Sequence, residues 1–322
     1  MAFVGLGDSA TRAQPLLPDE RQGEWHVLLL AATSSSTAGQ ANYYSMKQAE
    51  QNFEVIASTL GIKLFMHRVS GEAFTQESVK KGVRELLKVE KPERGKLMAT
   101  VMSFTHGMNF PDTWTQLPFI ICHPEENRLA GKNSLIAIED IYQTLRTFGA
   151  FDHLHVWAEL CNNIPYGLER EAPKSQPLAH SLLQRSMNRA RGRLRKLLMS
   201  NPATVMVSSK YGQVSYTFKD GGGVFTNSLF LGIEKVANGE IEGQWEGSKG
   251  LFAFIQAETR RHVRRLAGSM RQQAPQGFIG NVPNSTPQPS SNIVKAYECQ
   301  KPKPENTPPA KSPMDILKEL WK

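Results

Sequence analysis

Apolar positions along this chain switch repeatedly between two periods. Trp25 to Ala32 (WHVLLLAA) is an almost unbroken hydrophobic run of strand length, cut off by the Ser/Thr/Gly-rich stretch Thr33 to Gly39, which favours neither regular structure. From Tyr43 to Leu60 the residues Met46, Ala49, Phe53, Ile56 and Leu60 recur every three or four positions, a helix that Gly61 closes. Lys63 to Val69 reads as a second strand and Thr75 to Val89 as a helix with Thr75 at its N-cap. After the Pro92 to Gly95 turn, Leu97 to Phe104 is a third strand. Leu117 to Cys122 suits a short strand or hairpin arm, Leu135 to Phe148 returns to helical spacing, and Leu154 to Leu160 is a fourth strand. Leu183, Met187, Ala190, Leu194 and Leu197 mark an amphipathic helix. Thr204 to Ser208 is a fifth strand that Val214 to Phe218 extends or pairs with. Gly221 to Gly223 open a helix from about Phe225 to Ala237, and a last helix covers about Leu251 to Gln273.

Strands alternating with helices through four units predict right-handed crossovers and a mainly parallel sheet with helices on both faces. Sites in such sheets form at the carboxyl ends of strands. Two of the strands deliver reactive side chains there. Met98 to Phe104 runs into Thr105, His106 and Gly107, and His155 to Leu160 runs into Cys161, 55 positions after the histidine. If these strands are parallel neighbours, imidazole and thiol meet at one sheet edge. A cysteine nucleophile needs thiolate character, a base for its proton and donors for the oxyanion. His106 and Cys161 supply the first two. The N–H groups of Gly107 and Cys161 are the natural oxyanion donors. His123, His153 and His155 compete for the role of base, although strand alternation puts one of the last two on a sheet face. Taken singly, a cysteine or histidine at such a position is commonly a buried structural residue.

Composition narrows the picture. With 322 residues and 40% hydrophobic content, one large domain (25–280) is expected between an N-terminal extension (1–24) and a tail (281–322). The tail is rich in Pro, Ser, Asn, Thr and Lys, a composition that predicts disorder. Its Met314 to Trp321 segment has helical spacing suited to docking on a protein partner or on the domain itself. No membrane-length apolar run and no signal-peptide pattern is seen, so a soluble, cytoplasmic protein is expected. Cys122, Cys161 and Cys299 are few and far apart, which supports neither a disulfide framework nor a zinc ribbon. No metal or other cofactor is expected. The formal charge of +8 is concentrated in Arg185 to Lys196 and Arg260 to Arg271, each a plausible solvated helix face. Without aromatic residues interleaved among the cations, nucleic acid is not an expected partner.

The chain resembles the caspase-like cysteine peptidases, the clan of caspases, metacaspases and their bacterial relatives, over roughly Trp25 to Gly280. The resemblance rests on the opening strand HVLLLAA, on Ser103-Phe-Thr-His106-Gly107 and on Glu159-Leu-Cys161. It is joined by Ser208-Ser-Lys-Tyr-Gly-Gln-Val-Ser-Tyr216, Gly222-Gly-Val-Phe-Thr226 and the closing Ala274-Pro-Gln276. It implies a caspase-like three-layer sandwich and an endopeptidase acting on protein or peptide substrates, with His106 and Cys161 as the dyad and no metal in bond breaking. It places Glu159, Ser208 and Ser215 at the substrate. Many metacaspases need calcium, for which this sequence shows no clear acidic cluster; caspases dimerise, but the oligomeric state is not set by these residues. Caspases hold a substrate aspartate with arginines, one of them in the first loop. Here Thr33 to Ser45 has no Lys or Arg, the second arginine position reads as Thr217, and the residue two before the cysteine is Glu159. An anionic pocket favours Arg, then Lys. The family often has glycine two places after the cysteine, where this chain has Asn162 and Asn163. That departure makes an inactive caspase-like scaffold the competing expectation. The arginines between Glu169 and Lys196 offer an Arg-specific enzyme sites for self-processing.

Overall fold

The computed structural model describes residues 23–35, 38–109, 117–122, 135–161, 187–218, 221–268 and 271–279. Its elements run β1 (Glu24–Ala31), α1 (Gly39–Leu60), β2 (Lys63–Ser70), α2 (Gln76–Leu87), β3 (Leu97–Phe104), β4 (Gly107–Met108), β5 (Phe119–Ile121) and β6 (Leu135–Ala137). They continue with α3 (Ile138–Phe148), β7 (His153–Glu159), α4 (Met187–Met199), β8 (Ala203–Val207), β9 (Thr217–Phe218), β10 (Gly222–Gly223), α5 (Val224–Asn238), α6 (Leu251–Ala267) and β11 (Gln276–Ile279). Six strands form the main sheet in the order β2-β1-β3-β7-β8-β11. All neighbours are parallel except β11, which runs antiparallel to β8.

The near-continuous apolar runs of β1, β3, β7 and β8 follow from burial on both faces. In β1, Trp25, Val27 and Leu29 join a core with α1, α4, α5 and α6, which includes Phe53, Leu194, Phe225 and Ile255. Leu28 and Leu30 face the other way into a core with Val79 and Val83 of α2 and Ile141 and Leu145 of α3. The result is the expected three-layer sandwich. Both expected caps hold: Ser78 N–H donates to Thr75 Oγ1 at 3.2 Å, and Gly61, with φ of 71°, closes α1 by donating to Ala57 O.

Several expectations need correction. Leu135 to Ala137 form β6 before the helix begins, and β4, β5 and β6 make a separate three-stranded sheet. Val214 to Phe218 does not extend β8; its last two residues pair with β10 instead. The last helix stops at Ala267, Gly268 donating to Arg264 O, so Gln273 lies on a non-helical segment leading into β11. The extension, the tail and the Met314 to Trp321 segment lie outside the described residues, apart from Gly23 and Glu24. Among the described residues, no helix is long and apolar enough to cross a membrane.

His155 shows how the middle of β7 is fixed. It is fully buried; its Nε2–H donates to Leu198 O at 3.1 Å. Nδ1 lies 2.8 Å from Thr204 Oγ1, which accepts from Trp157 Nε1–H at 3.1 Å. This set is complete with a neutral ring, and burial pushes the imidazole down to about 3. Below its ordinary value of 6.5 the unfolded chain takes up a proton that the native state refuses. Stability should therefore fall as pH drops from about 6.5 toward 3, by up to about 5 kcal/mol. Urea unfolding of wild type and His155→Gln should show the stability difference changing across that interval; parallel curves would refute it.

Candidate active site

The register of β3 on β7 pairs Phe104 with Glu159, and Thr105 N–H extends the ladder by donating to Glu159 O at 3.3 Å. Carried two residues beyond its last pair, that register brings His106 toward Cys161, and a Cβ on the neighbouring Gly107 would overlap the Cys161 carbonyl oxygen. Strands in a sheet lie about 4.8 Å apart, so both side chains emerge at one edge. Both are only partly buried, whereas the strand residues before them are buried. Cys122 makes the contrast: it is buried, and desolvation pushes its thiol up to about 12. The competing histidines are elsewhere. His155 is structural, His153 starts β7 at the opposite end of the sheet with Nδ1 3.0 Å from Asn201 O, and His123 is outside the described residues.

Gly107 packs against the cysteine segment. A Cβ added there would overlap the Cys161 carbonyl oxygen and the Leu160 side chain, so a glycine is required by close approach as well as by the chemistry. Ile121 N–H donates to His106 O at 3.0 Å, which makes His106 and Ile121 a hydrogen-bonded pair. Gly107 and Ile120 are then the next, non-bonded pair of the ladder, and the Gly107 N–H points away from β5.

The other side of Cys161 is formed by residues 213–217. Ser215 N–H approaches Cys161 Sγ at 3.3 Å, and the Ser215 hydroxyl donates to Glu159 Oε1. Glu159 is 3% exposed. Its Oε2 accepts from Thr226 N–H at 2.7 Å in the first turn of α5, where the helix dipole favours an anion. A Cβ on Gly223 would overlap this carboxylate. The partners of Glu159 are thus neutral donors, and no Lys or Arg pairs with it among the described residues. Burial pushes the carboxyl up to about 7, against the opposing effect of the Ser215 and Thr226 hydrogen bonds.

Ser208 has a different place from the one expected. Its hydroxyl accepts from Leu160 N–H at 3.0 Å and donates to Leu160 O at 2.7 Å, and it is fully buried. It ties the ends of β7 and β8 together beneath the cysteine rather than facing a substrate. Asn162 and Asn163 lie outside the described residues.

Three residues escaped the sequence reading. Gln273, fully buried, donates to Ser208 O at 3.1 Å and Ser215 Oγ at 3.2 Å and accepts from Tyr216 N–H at 2.8 Å. Tyr216 lies within electrostatic reach of the thiol: burial raises its phenol, Arg271 opposes that, and Cys161 adds to it. Ser35, after β1, has its Oγ 3.0 Å from His106 Nε2. Its only advance signal was membership of a Ser/Thr cluster following a strand. Among the described residues, no three of His, Cys, Asp and Glu are grouped to hold a metal ion.

Fold and contacts together define a three-layer α/β protein with a histidine and a cysteine at adjacent strand ends, walled by residues 213–217. No family model and no curated protein matches the chain. Among solved structures it is similar to the crystal structure of caspase-1 from Spodoptera frugiperda, with 10% identity, 80% of this chain and 87% of that chain covered, and a TM-score of 0.46.

Proposed function

We propose that the protein is a cytoplasmic cysteine endopeptidase that cleaves after Arg, and less well after Lys, with residues 25–280 as its peptidase domain. The observation that supports this reading is the β3/β7 register, which, continued past Phe104 and Glu159, leads His106 and Cys161 to neighbouring positions at the carboxyl end of a parallel sheet. In the proposed reaction His106 takes the Cys161 proton and the thiolate attacks the scissile carbonyl. The oxyanion is held by the N–H groups of Gly107 and Cys161. His106 then protonates the leaving amine, and water, with His106 as base, cleaves the thioester to release the acid and restore the thiol. No metal is assigned a step.

Glu159 supports the substrate preference. A buried carboxylate is costly without a cation, and this one lies below the Ser215 segment that touches the nucleophile. A substrate guanidinium would supply the missing charge through paired hydrogen bonds. A panel of peptides ending in Arg, Lys, Asp and Leu tests the reading, with a calcium chelator as one arm. Inactivity of folded protein on every peptide would favour the scaffold.

Self-processing is narrowed by α4. Arg191 donates to Thr59 O at 2.8 Å and Arg193 to Ala237 O at 3.1 Å, while Leu194, Leu197 and Leu198 are buried. An extended peptide is needed in a cleft, so cuts at Arg189 to Arg195 are not expected. Arg170, Lys174 and Arg185, outside the described residues, are the proposed sites. Incubating wild type beside Cys161→Ala should give Cys161-dependent fragments of about half the chain, with new termini mapping before Met187. Termini within α4, or none, would refute this.

A further inference from the structure

The loop after β1 brings a third strand end to the site. The β1/β3 ladder continues through Ala32 N–H to Phe104 O at 3.0 Å, and the loop beyond is held at several points. Asn42 Nδ2 donates to Ala32 O at 3.1 Å, and Gly71 N–H donates to Thr33 Oγ1 at 2.9 Å. Ala38 N–H donates to Ser35 Oγ at 3.0 Å. Ser35 is 8% exposed, so its hydroxyl is both fixed in place and largely screened from water.

We propose that Ser35 is the positioning residue of the base: its hydroxyl oxygen accepts from His106 Nε2–H, fixing the ring tautomer and leaving Nδ1 for the Cys161 thiol. This rests on reading His106 and Cys161 as a dyad. A hydroxyl oxygen has two lone pairs. Ala38 N–H donates to it, and in the proposed arrangement Nε2–H, 3.0 Å away, donates to it as well. When Nδ1 takes the thiol proton, the ring becomes a cation with both nitrogens protonated. The bond to Ser35 is then charge-assisted and stronger than in the neutral ring. Ser35 therefore favours the thiolate–imidazolium pair over the thiol–imidazole pair, without touching the substrate.

The test compares wild type, Ser35→Ala and Ser35→Thr by peptide turnover and by the pH dependence of Cys161 alkylation with iodoacetamide, taken as the difference from Cys161→Ala. Alkylation needs no turnover. In Ser35→Ala, kcat should fall about 10- to 100-fold, by analogy with the outer hydrogen-bond partners of metal-bound imidazoles, with KM changed less than about twofold. The pH of half-maximal alkylation should rise by about one unit. Ser35→Thr, which keeps the hydroxyl, should restore most of both. Nitrogen NMR of wild-type His106 should show the neutral ring protonated on Nε2, which decides the matter even if Ser35→Ala fails to fold. A wild-type alkylation profile in Ser35→Ala, a Thr variant as impaired as Ala, or a neutral ring protonated on Nδ1 would overturn the assignment. If wild type cleaves no peptide but the alkylation shift appears, the peptidase reading fails and the role of Ser35 stands.

Discussion

Cys161→Ala should abolish hydrolysis of Arg-ended peptides, and His106→Ala should lower kcat by on the order of 10⁴- to 10⁶-fold, the scale for removing members of a catalytic unit. Neither change should unfold the protein. Both side chains are only partly buried, outside the two cores that hold the sandwich together. Melting temperatures should therefore stay within a few degrees of wild type, the shift expected for about 1 kcal/mol in a domain of this size. The double variant should be no worse than Cys161→Ala alone, because the base has no task without the thiol. Residual activity of Cys161→Ala above the uncatalysed rate, or a loss that tracks unfolding by circular dichroism, would remove the dyad from consideration.

Glu159→Gln should produce two large effects of opposite benefit. The folded state prefers the neutral carboxyl, with the value raised from 4.5 to about 7. Its stabilising contribution is thus fully present below the ordinary value and lost as pH rises toward 7, up to about 3 kcal/mol in all. A neutral amide at this position carries no such dependence, so the variant should gain on wild type between about pH 4.5 and 7 and remain more stable above it. Asp140, also pushed up to about 7 by burial, is present in both proteins and cancels in the difference. Activity should move the other way. Removing the charge that meets a substrate guanidinium should cost about 10²-fold or more in kcat/KM for Arg-ended peptides and little for uncharged ones. Wild-type KM for Arg-ended peptides should also drop as pH rises through 7 and Glu159 ionises. Urea midpoints at several pH values and a paired substrate assay check both arms. Equal losses on charged and uncharged peptides would make Glu159 a purely structural support of Ser215 and α5.

The main sheet was legible because its strands are long and buried on both faces, which leaves runs such as WHVLLLAA with no other economical explanation. The helices were legible for the same reason, with boundaries shifted: α1 begins at Gly39, four residues before the apolar spacing starts. The two-residue strands β4, β9 and β10, by contrast, are too short to carry any period. They exist only because tertiary neighbours, such as Ile120 opposite Gly107, complete their ladders. The site divides in the same way. His106, Cys161 and Glu159 were readable because each ends or nearly ends an apolar run. Ser35 sits among Thr33, Ser34, Ser36 and Thr37, and nothing in one dimension distinguishes it. Gln273 meets Ser215 across 58 positions of sequence, a contact that no local pattern encodes. The buried place of Ser208 was not legible because a hydroxyl at a strand end looks alike in sequence whether it faces a cleft or stitches two backbones.

The late position of Gln273 in the chain bears on how such a protein is made. Ribosomes add about 5–20 residues per second, so β1, β3 and β7 leave the exit tunnel well before the segment from Gln273 to β11. Until that segment arrives, Ser215 and Tyr216 lack the amide that anchors them, and β8 has an open edge where β11 will pair. A half-made chain carries the nucleophile and the base but an unbraced cleft wall. The order of synthesis itself thus delays a working cleft until almost the whole sheet has been translated.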